Sequence, residues 1–182
     1  MSNRKKDKKS TKQPLVANVI TKGSSAAPAG APASRGVERS RTQLVEQARA
    51  AYALAWIQRA QADESIKQSE LKSFTRRLPG MIQVNGFGQA MAFYYAKQSK
   101  SSAYRAVYSL IEGWLCGPHG HEANAGQPLY AAYVGTPPAL LTAITQEDQH
   151  RYRLAQAETM ALLRWAKKFA EALVAEEASV DD

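Results

Sequence analysis

From residue 40 onward, large apolar side chains recur every three or four positions, with polar and charged side chains between them. This spacing is typical of one face of an α-helix, which has 3.6 residues per turn. Residues 40–65 show the pattern first, and the positions predicted to face inward are Leu44, Val45, Ala48, Tyr52, Ala55 and Trp56. No stretch alternates apolar and polar residues persuasively, as a half-buried strand would. The pattern therefore predicts an all-α protein.

The next two predicted helices are separated by a glycine-containing corner. The second spans about residues 66–84 and contains Pro79, which removes one backbone N–H and predicts a kink or a break into two shorter helices. Asn85 and Gly86 end it, because these residue types accept the left-handed backbone conformation. The third helix, residues 88–100, is apolar around most of its circumference, which predicts burial on several sides at the centre of the core.

A fourth helix follows, and a long loop comes after it. The hydroxyl of Ser101 or Ser102 can cap the start of this helix, and the sequence "CGP" at Cys116 stops it. Residues 117–138 contain four prolines and four glycines, so a long loop is predicted there.

Two helical segments complete the pattern. Residues 139–144 predict one or two helical turns. The sequence "TQED" then offers a capping box, with Thr145 at the cap and Asp148 three residues later, opening a helix that runs to about Glu176. Its predicted packing seam consists of Tyr152, Ala155, Thr159, Leu162, Ala166, Phe169 and Leu173.

The predicted organisation is a single compact bundle of about five or six helices over residues 40–177. The chain has 182 residues and is 45% hydrophobic, which is enough apolar material for one core. Residues 1–36 are rich in Lys, then in Ala, Pro and Gly, and have too few large apolar groups to offset the entropy lost on ordering. They are predicted to be a disordered basic tail, and residues 178–182 an acidic C-terminal end.

Charge is distributed unevenly along the chain. Residues 1–41 hold ten of the 24 basic residues and two of the 16 acidic ones, so the net charge of +8 belongs to residues 1–41 and residues 42–182 are neutral overall. Within the body, one segment has Glu70 as its single acidic residue and seven basic residues: Lys67, Lys72, Arg76, Arg77, Lys97, Lys100 and Arg105. Five acidic residues lie near the C-terminus, which predicts one basic and one acidic region: Glu171, Glu176, Glu177, Asp181 and Asp182.

Candidate catalytic and cofactor sites are weak in this sequence. The stretch Gly86-Phe87-Gly88 lacks the third glycine of a dinucleotide site and the Gly-Lys-Ser/Thr of a phosphate loop, so a tight corner between helices is predicted. Four residues have donor atoms that could gather a metal, but their spacing matches no zinc framework: Cys116, His119, His121 and Glu122. We therefore predict no cofactor and no metal.

Cellular location is indicated by two further features of the sequence. Cys116 is the single cysteine, so no intrachain disulfide can form, which fits a reducing compartment. No apolar run approaches the roughly 20 residues of a membrane helix. A soluble, cytoplasmic protein that does not bind membranes is expected.

Two blocks of sequence carry a resemblance to a known family. Residues 78–97, "LPGMIQVNGFGQAMAFYYAK", resemble the signature "LPxMIxxNGLGQALAFxxAK" of the small subunit of the type III-B CRISPR effector, the Cmr complex. Residues 152–172 are similar to that family's terminal "YRxATxEALxLLxWLKRFAxA" helix, and together the resemblance covers about residues 40–175. The residues taken as its structural motif are Leu78, Pro79, Asn85, Gly86, Gly88, Gln89, Trp114 and Trp165. Phe87 and Ala166 stand where the family usually has Leu.

The resemblance implies a function that composition alone does not. It implies a helical subunit without catalytic activity, stacked in several copies beside the backbone subunits, with the large subunit as a further partner. The stack would help form the groove for guide RNA paired with target RNA, and the seven basic residues of the 67–105 segment become candidates to face that RNA. Two alternatives stay open: a free-standing nucleic-acid-binding protein, and a free-standing enzyme using the loop from Cys116 to Glu122.

Overall fold

The computed structural model describes residues 41–117 and 128–174, and these residues form a helical bundle without strands. Its helices are α1 (Arg41–Ala62), α2 (Gln68–Asn85), α3 (Phe87–Ala96), α4 (Ser102–Leu115), α5 (Ala139–Gln146) and α6 (Gln149–Leu173), with a 3-10 turn at Ala131–Tyr133. The prediction of an all-α protein with five or six helices is confirmed. The predicted tail 1–36, the acidic end 178–182 and part of the loop 117–138 lie outside the described residues.

The core is built around α4 and the long helix α6. α6 packs against α1 and α2, while α4 packs against α2 and α3. Eight of the 14 residues of α4 are buried, among them Leu110, Ile111 and Trp114. Ser101 caps this helix, because its side chain accepts a hydrogen bond from the N–H of Ala103. α4 therefore lies closest to the centre of the bundle.

α3 is less buried than its composition predicts. Only Phe87, Ala90, Met91 and Tyr94 are buried, whereas Phe93 and Tyr95 are 37% and 40% exposed. The expectation of burial on several sides is wrong, because α2, α4 and α5 cover one side of this helix and the other faces outward.

α2 continues through Pro79, so the predicted alternative of a break into two helices is wrong. Proline costs a helix one hydrogen bond and crowds the preceding turn. Three residues of this helix are almost completely buried, and they lie on both sides of the proline: Leu71, Leu78 and Ile82. Tertiary burial of this apolar face therefore outweighs the local cost of Pro79.

The start of α6 differs from the predicted capping box. Asp148 is the cap, since its Oδ1 accepts a hydrogen bond from the N–H of Arg151 at 2.9 Å. Thr145 lies inside α5, where its hydroxyl donates to the carbonyl oxygens of Leu141 and Thr142. Thr145 is not a cap because α5 extends one residue beyond it, to Gln146. The backbone adopts an extended conformation only at Glu147.

The inward face of α1 is also rotated from the predicted one. Leu44 is 45% exposed and Ala55 is exposed, while Ala53 and Ile57 are fully buried. α6 is the main partner of α1, and its position decides which face is covered. On α6 itself the predicted seam is buried or half-buried except for Leu173, which is 40% exposed.

Candidate nucleic-acid interface

The corner between α2 and α3 depends on Gly86. Its φ of 86° and ψ of 158° lie in a region that is populated almost only by glycine. The Gly86 N–H donates to the Ile82 carbonyl at 3.0 Å and its own carbonyl accepts from the Ala90 N–H at 3.1 Å. One residue thus closes α2 and opens α3.

Gly88 lets α3 approach α5 and α6 closely. A Cβ at this position would lie 3.1 Å from Cγ2 of Ile144. The Gly88 N–H donates to the hydroxyl of Tyr152 at 3.0 Å. Since the N–H groups of both Gly86 and Gly88 are bonded inside the protein, the corner offers neither of them to a phosphate.

The N-terminal end of α4 gathers basic residues from three parts of the chain. The hydroxyl of Ser102 donates to the carbonyl of Ser65 in the α1–α2 connection, and Arg77 Nη2 on α2 donates to the hydroxyl of Tyr104 at 2.8 Å. The turn before α4 is closed by hydrogen bonds from the N–H groups of Lys100 and Ser101 to the Lys97 carbonyl. We call the basic residues of this region the α4 basic surface: Lys67, Arg77, Lys97, Lys100 and Arg105.

Aromatic rings hold two of these cations in place. The guanidinium carbon of Arg77 lies 5.3 Å from the ring centroid of Phe74, and Lys97 Nζ lies 5.5 Å from that of Phe93. Tyr104 stacks on Phe74 with centroids 3.9 Å apart and contacts Phe93 edge-on at 5.9 Å. Cation–π contacts restrict the side chains without removing their charge, so both groups remain able to meet an anion.

Lys72 and Arg76 occupy a different place, at the C-terminal end of α6. Lys72 Nζ donates to the Val174 carbonyl at 3.3 Å, and Arg76 Nε lies 3.5 Å from Oε1 of Glu171. A cation at a helix C-terminus stabilises its unpaired carbonyl groups. Two cations of the basic segment therefore meet the C-terminal end of α6, and the fold gives them protein partners.

A partly buried arginine, Arg49, links both motif tryptophans, and sequence reasoning missed it. Arg49 Nε and Nη2 donate to the two carboxylate oxygens of Glu158 at 3.1 and 2.6 Å, and Nη1 donates to Glu46. Trp165 Nε1 donates to Glu46 at 3.0 Å, and Trp114 Nε1 approaches Glu158 at 3.4 Å. We call these five residues the Arg49 network. The sequence signal for it was Glu46 and Arg49, spaced three apart on the predicted α1.

The Arg49 network predicts a pH dependence of stability. The hydrogen bond from Trp165 and the charge of Arg49 hold the pKa of Glu46 below its usual value. A lowered folded-state pKa contributes stability above the unfolded value, about 4.3, and loses it as pH falls through the folded value. The stability difference between wild type and Glu46→Gln, measured by urea unfolding, should therefore be largest near pH 6 and shrink below about pH 4. A difference that stays constant down to pH 3 would contradict this assignment.

Cys116 is buried, with 2% of its surface exposed. Burial, with a smaller effect from Glu112, raises the pKa of its thiol to about 12. A protonated thiol is a poor nucleophile and a poor metal ligand. Its proposed partners in a metal site, His119, His121 and Glu122, lie outside the described residues.

Residues 41–117 and 128–174 contain no group of three or more His, Cys, Asp or Glu side chains placed to hold a metal ion. No helix in these two ranges combines the length and the apolarity needed to cross a membrane.

Comparison with known proteins identifies the family. The model of the family described as CRISPR-associated protein (Cas_Cmr5) matches residues 45–173, which include α2 to α6 and most of α1. The chain belongs to the Cmr5 family. It is accordingly a small subunit of the type III-B Cmr complex, and the resemblance carried by residues 78–97 and 152–172 is confirmed.

A solved structure supports the fold of this Cmr5 chain. The X-ray crystal structure of a CRISPR-associated Cmr5 family protein from Thermus thermophilus is similar with a TM-score of 0.53 and 21% sequence identity. The match covers 75% of this chain and 100% of that chain. The helical fold is therefore shared at low sequence identity, and the α4 basic surface and the Arg49 network lie inside the region matched by the family model.

Proposed function

We propose that this Cmr5 chain is a non-catalytic subunit that stacks in several copies beside the backbone subunits and helps form the groove for guide RNA paired with target RNA. In this proposal the α4 basic surface faces the RNA backbone. The observation that carries it is the grouping of five cations, from the α1–α2 connection, α2, the α3–α4 turn and α4, at one end of one helix.

The chemistry of the surface suits such a groove. A groove that accepts any guide must bind phosphates and helix shape, since base edges differ from one guide to the next. Lys67, Lys100 and Arg105 are exposed, and Arg77 and Lys97 are oriented by aromatic rings. The nearby acid Glu70 accepts a hydrogen bond from the Ser101 hydroxyl at 2.5 Å, so one of its two carboxylate oxygens already has a protein partner.

The two alternative functions, a free-standing RNA-binding protein and a free-standing enzyme, predict different properties of the purified chain. A free-standing RNA-binding protein would bind RNA tightly as the isolated chain, and a free-standing enzyme would lose activity on Cys116→Ala. Family membership and the buried thiol of Cys116 favour the subunit. The subunit should co-purify with guide RNA, the Cmr backbone subunits and the large subunit.

Charge reversal of the α4 basic surface tests the proposal. The triple variant Lys67→Glu, Lys97→Glu, Lys100→Glu should assemble into the complex but retain target RNA less well, with a loss that does not depend on guide sequence. The slope of log K against log salt should fall in magnitude by about 0.7 to 0.9 for each phosphate contact removed. Filter binding over a range of salt concentrations measures both quantities. Lys72 and Arg76 are left unchanged because they hold the end of α6.

A matched control distinguishes the loss of specific contacts on this surface from the effect of a changed net charge. Arg153, Arg164 and Lys167 are exposed on α6, and their replacement by Glu makes the same change in net charge. This control should retain RNA better than the α4 variant. If both triple variants lose RNA to the same extent, or if the α4 variant keeps the wild-type affinity and salt slope, the proposed location of the RNA is wrong.

A further inference from the structure

A cleft that shares Arg105 with the α4 basic surface lies between the C-terminal half of α1, the α1–α2 connection and the first two turns of α4. Its volume is about 340 Å³. The side chains that matter for its chemistry are Trp56, Arg59, Asp63, Ser102, Arg105 and Ser109. Pockets of a few hundred Å³ are the size that holds a single small ligand.

The cleft has an apolar wall. Trp56, Ala60, Ile66 and Ala106 all line it and are each between 5% and 9% exposed. All four residues belong to the packed core of the bundle. An apolar wall that includes an indole suits the face of a nucleobase, because every base has a flat π-surface.

Two arginines supply donors for an anion. Arg59 Nε donates to the Ala55 carbonyl at 3.2 Å, which leaves both terminal nitrogens of its guanidinium for a ligand. Among the residues that the structure describes, neither Arg59 nor Arg105 forms an ion pair. Guanidinium groups match phosphate oxygens in geometry and can pair with them through two hydrogen bonds.

The remaining polar groups of the cleft are placed to accept hydrogen bonds. Ser102 donates its hydroxyl proton to the Ser65 carbonyl, and Ser109 donates its own to the Ala106 carbonyl at 2.8 Å. Their oxygens keep lone pairs for the hydroxyl groups of a sugar. Asp63 accepts from the N–H and hydroxyl of Ser65 through Oδ1, so Oδ2 is left for an N–H donor such as a base amino group.

We propose that this cleft binds one nucleotide, with its base against the Trp56 wall and its phosphate on Arg59 and Arg105. Donors for a phosphate, acceptors for a ribose and a base edge, and an apolar wall occur together here. The site shares Arg105 with the α4 basic surface, but it adds contacts to a base and a ribose that phosphate contacts along a duplex do not require. The nucleotide is either a free mononucleotide or one unpaired nucleotide of an RNA strand, and the chemistry is the same for both.

Calorimetric titration of the full chain tests this site with AMP, adenosine and inorganic phosphate. AMP should bind at least tenfold more tightly than either of the other two, since only AMP uses both the arginines and the apolar wall. Arg59→Ala and Arg105→Ala should each weaken AMP binding about tenfold while the helical circular dichroism is unchanged. No detectable AMP binding, or phosphate binding as tight as that of AMP, would overturn the proposal.

Two further titrations assign the source of the nucleotide and keep this site distinct from the RNA groove. A single-stranded oligoadenylate that binds much more tightly than AMP identifies an unpaired RNA nucleotide, and equal affinities identify a free mononucleotide. The triple variant Lys67→Glu, Lys97→Glu, Lys100→Glu should keep AMP binding within about threefold of wild type. Loss of AMP binding in that variant would show that the surface lysines, rather than the arginine pair, hold the phosphate, and would overturn the assignment of the site.

Discussion

Arg49→Ala should lower the free energy of unfolding by about 3 kcal/mol and the melting temperature by roughly 10 °C. The side chain of Arg49 is 11% exposed, and its removal leaves the partly buried Glu158 without its two charge-assisted hydrogen bonds. The estimate is at the low end of the range for breaking a buried ion pair, because 33% of the Glu158 side chain is exposed and water can reach it. Urea unfolding followed by circular dichroism measures the change.

Two further variants show whether the ion pair is responsible. Arg153→Ala removes an exposed arginine from α6 and should change stability by less than about 0.5 kcal/mol. Glu158→Gln should cost less in the Arg49→Ala background than in wild type, because the charge it removes no longer has its partner. An Arg49→Ala protein as stable as wild type would mean that the Arg49 network contributes nothing net to folding.

Gly86→Val should destabilise the protein by about 2 kcal/mol, because the new side chain would be held at a φ of 86°. No neighbouring atom lies within 4 Å of a Cβ built at this position, so the cost comes from backbone strain and not from a clash. Differential scanning calorimetry should show a lower melting temperature with the helical content unchanged.

Gly80 provides the matched control for this prediction. It lies in the interior of α2, is exposed, and a Cβ there also meets nothing within 4 Å. Gly80→Ala should therefore be neutral or stabilise the helix by up to about 1 kcal/mol, through the lower backbone entropy of alanine in the unfolded chain. A Gly86→Val protein that melts at the wild-type temperature would show that the corner changes its backbone conformation at little cost.

The helices themselves were predictable because their signals are local. Apolar residues at spacings of three and four define one face of a helix. Ser101 before α4 and Gly86 after α2 act through hydrogen bonds within a few residues. The family could also be recognised from the sequence, because the motif from residue 78 to 97 is contiguous. Pro79 shows where local signals stop being sufficient. The sequence predicts that this proline destabilises a helix, but the burial of Leu78 and Ile82 that outweighs the destabilisation depends on other helices.

The basic residues show most clearly what the tertiary structure decided. Lys72 and Lys97 look alike in sequence, yet Lys72 donates to the end of α6 and Lys97 lies over Phe93 beside α4. The partner of Lys97 is four residues away, whereas the partner of Lys72 is 102 residues away, so no local pattern contains the contact that Lys72 makes.

The sequence by itself determined the all-α class, the corner at Gly86 and membership of the Cmr small-subunit family. The tertiary structure decided which face of each helix is covered, which cations are grouped, and which polar groups meet. Arg49 and Glu158 are 109 residues apart in the chain, and Arg59 and Arg105 line one cleft although they lie on α1 and α4. The physical reason is that helix formation uses contacts three or four residues apart, whereas burial and electrostatics depend on distance in space.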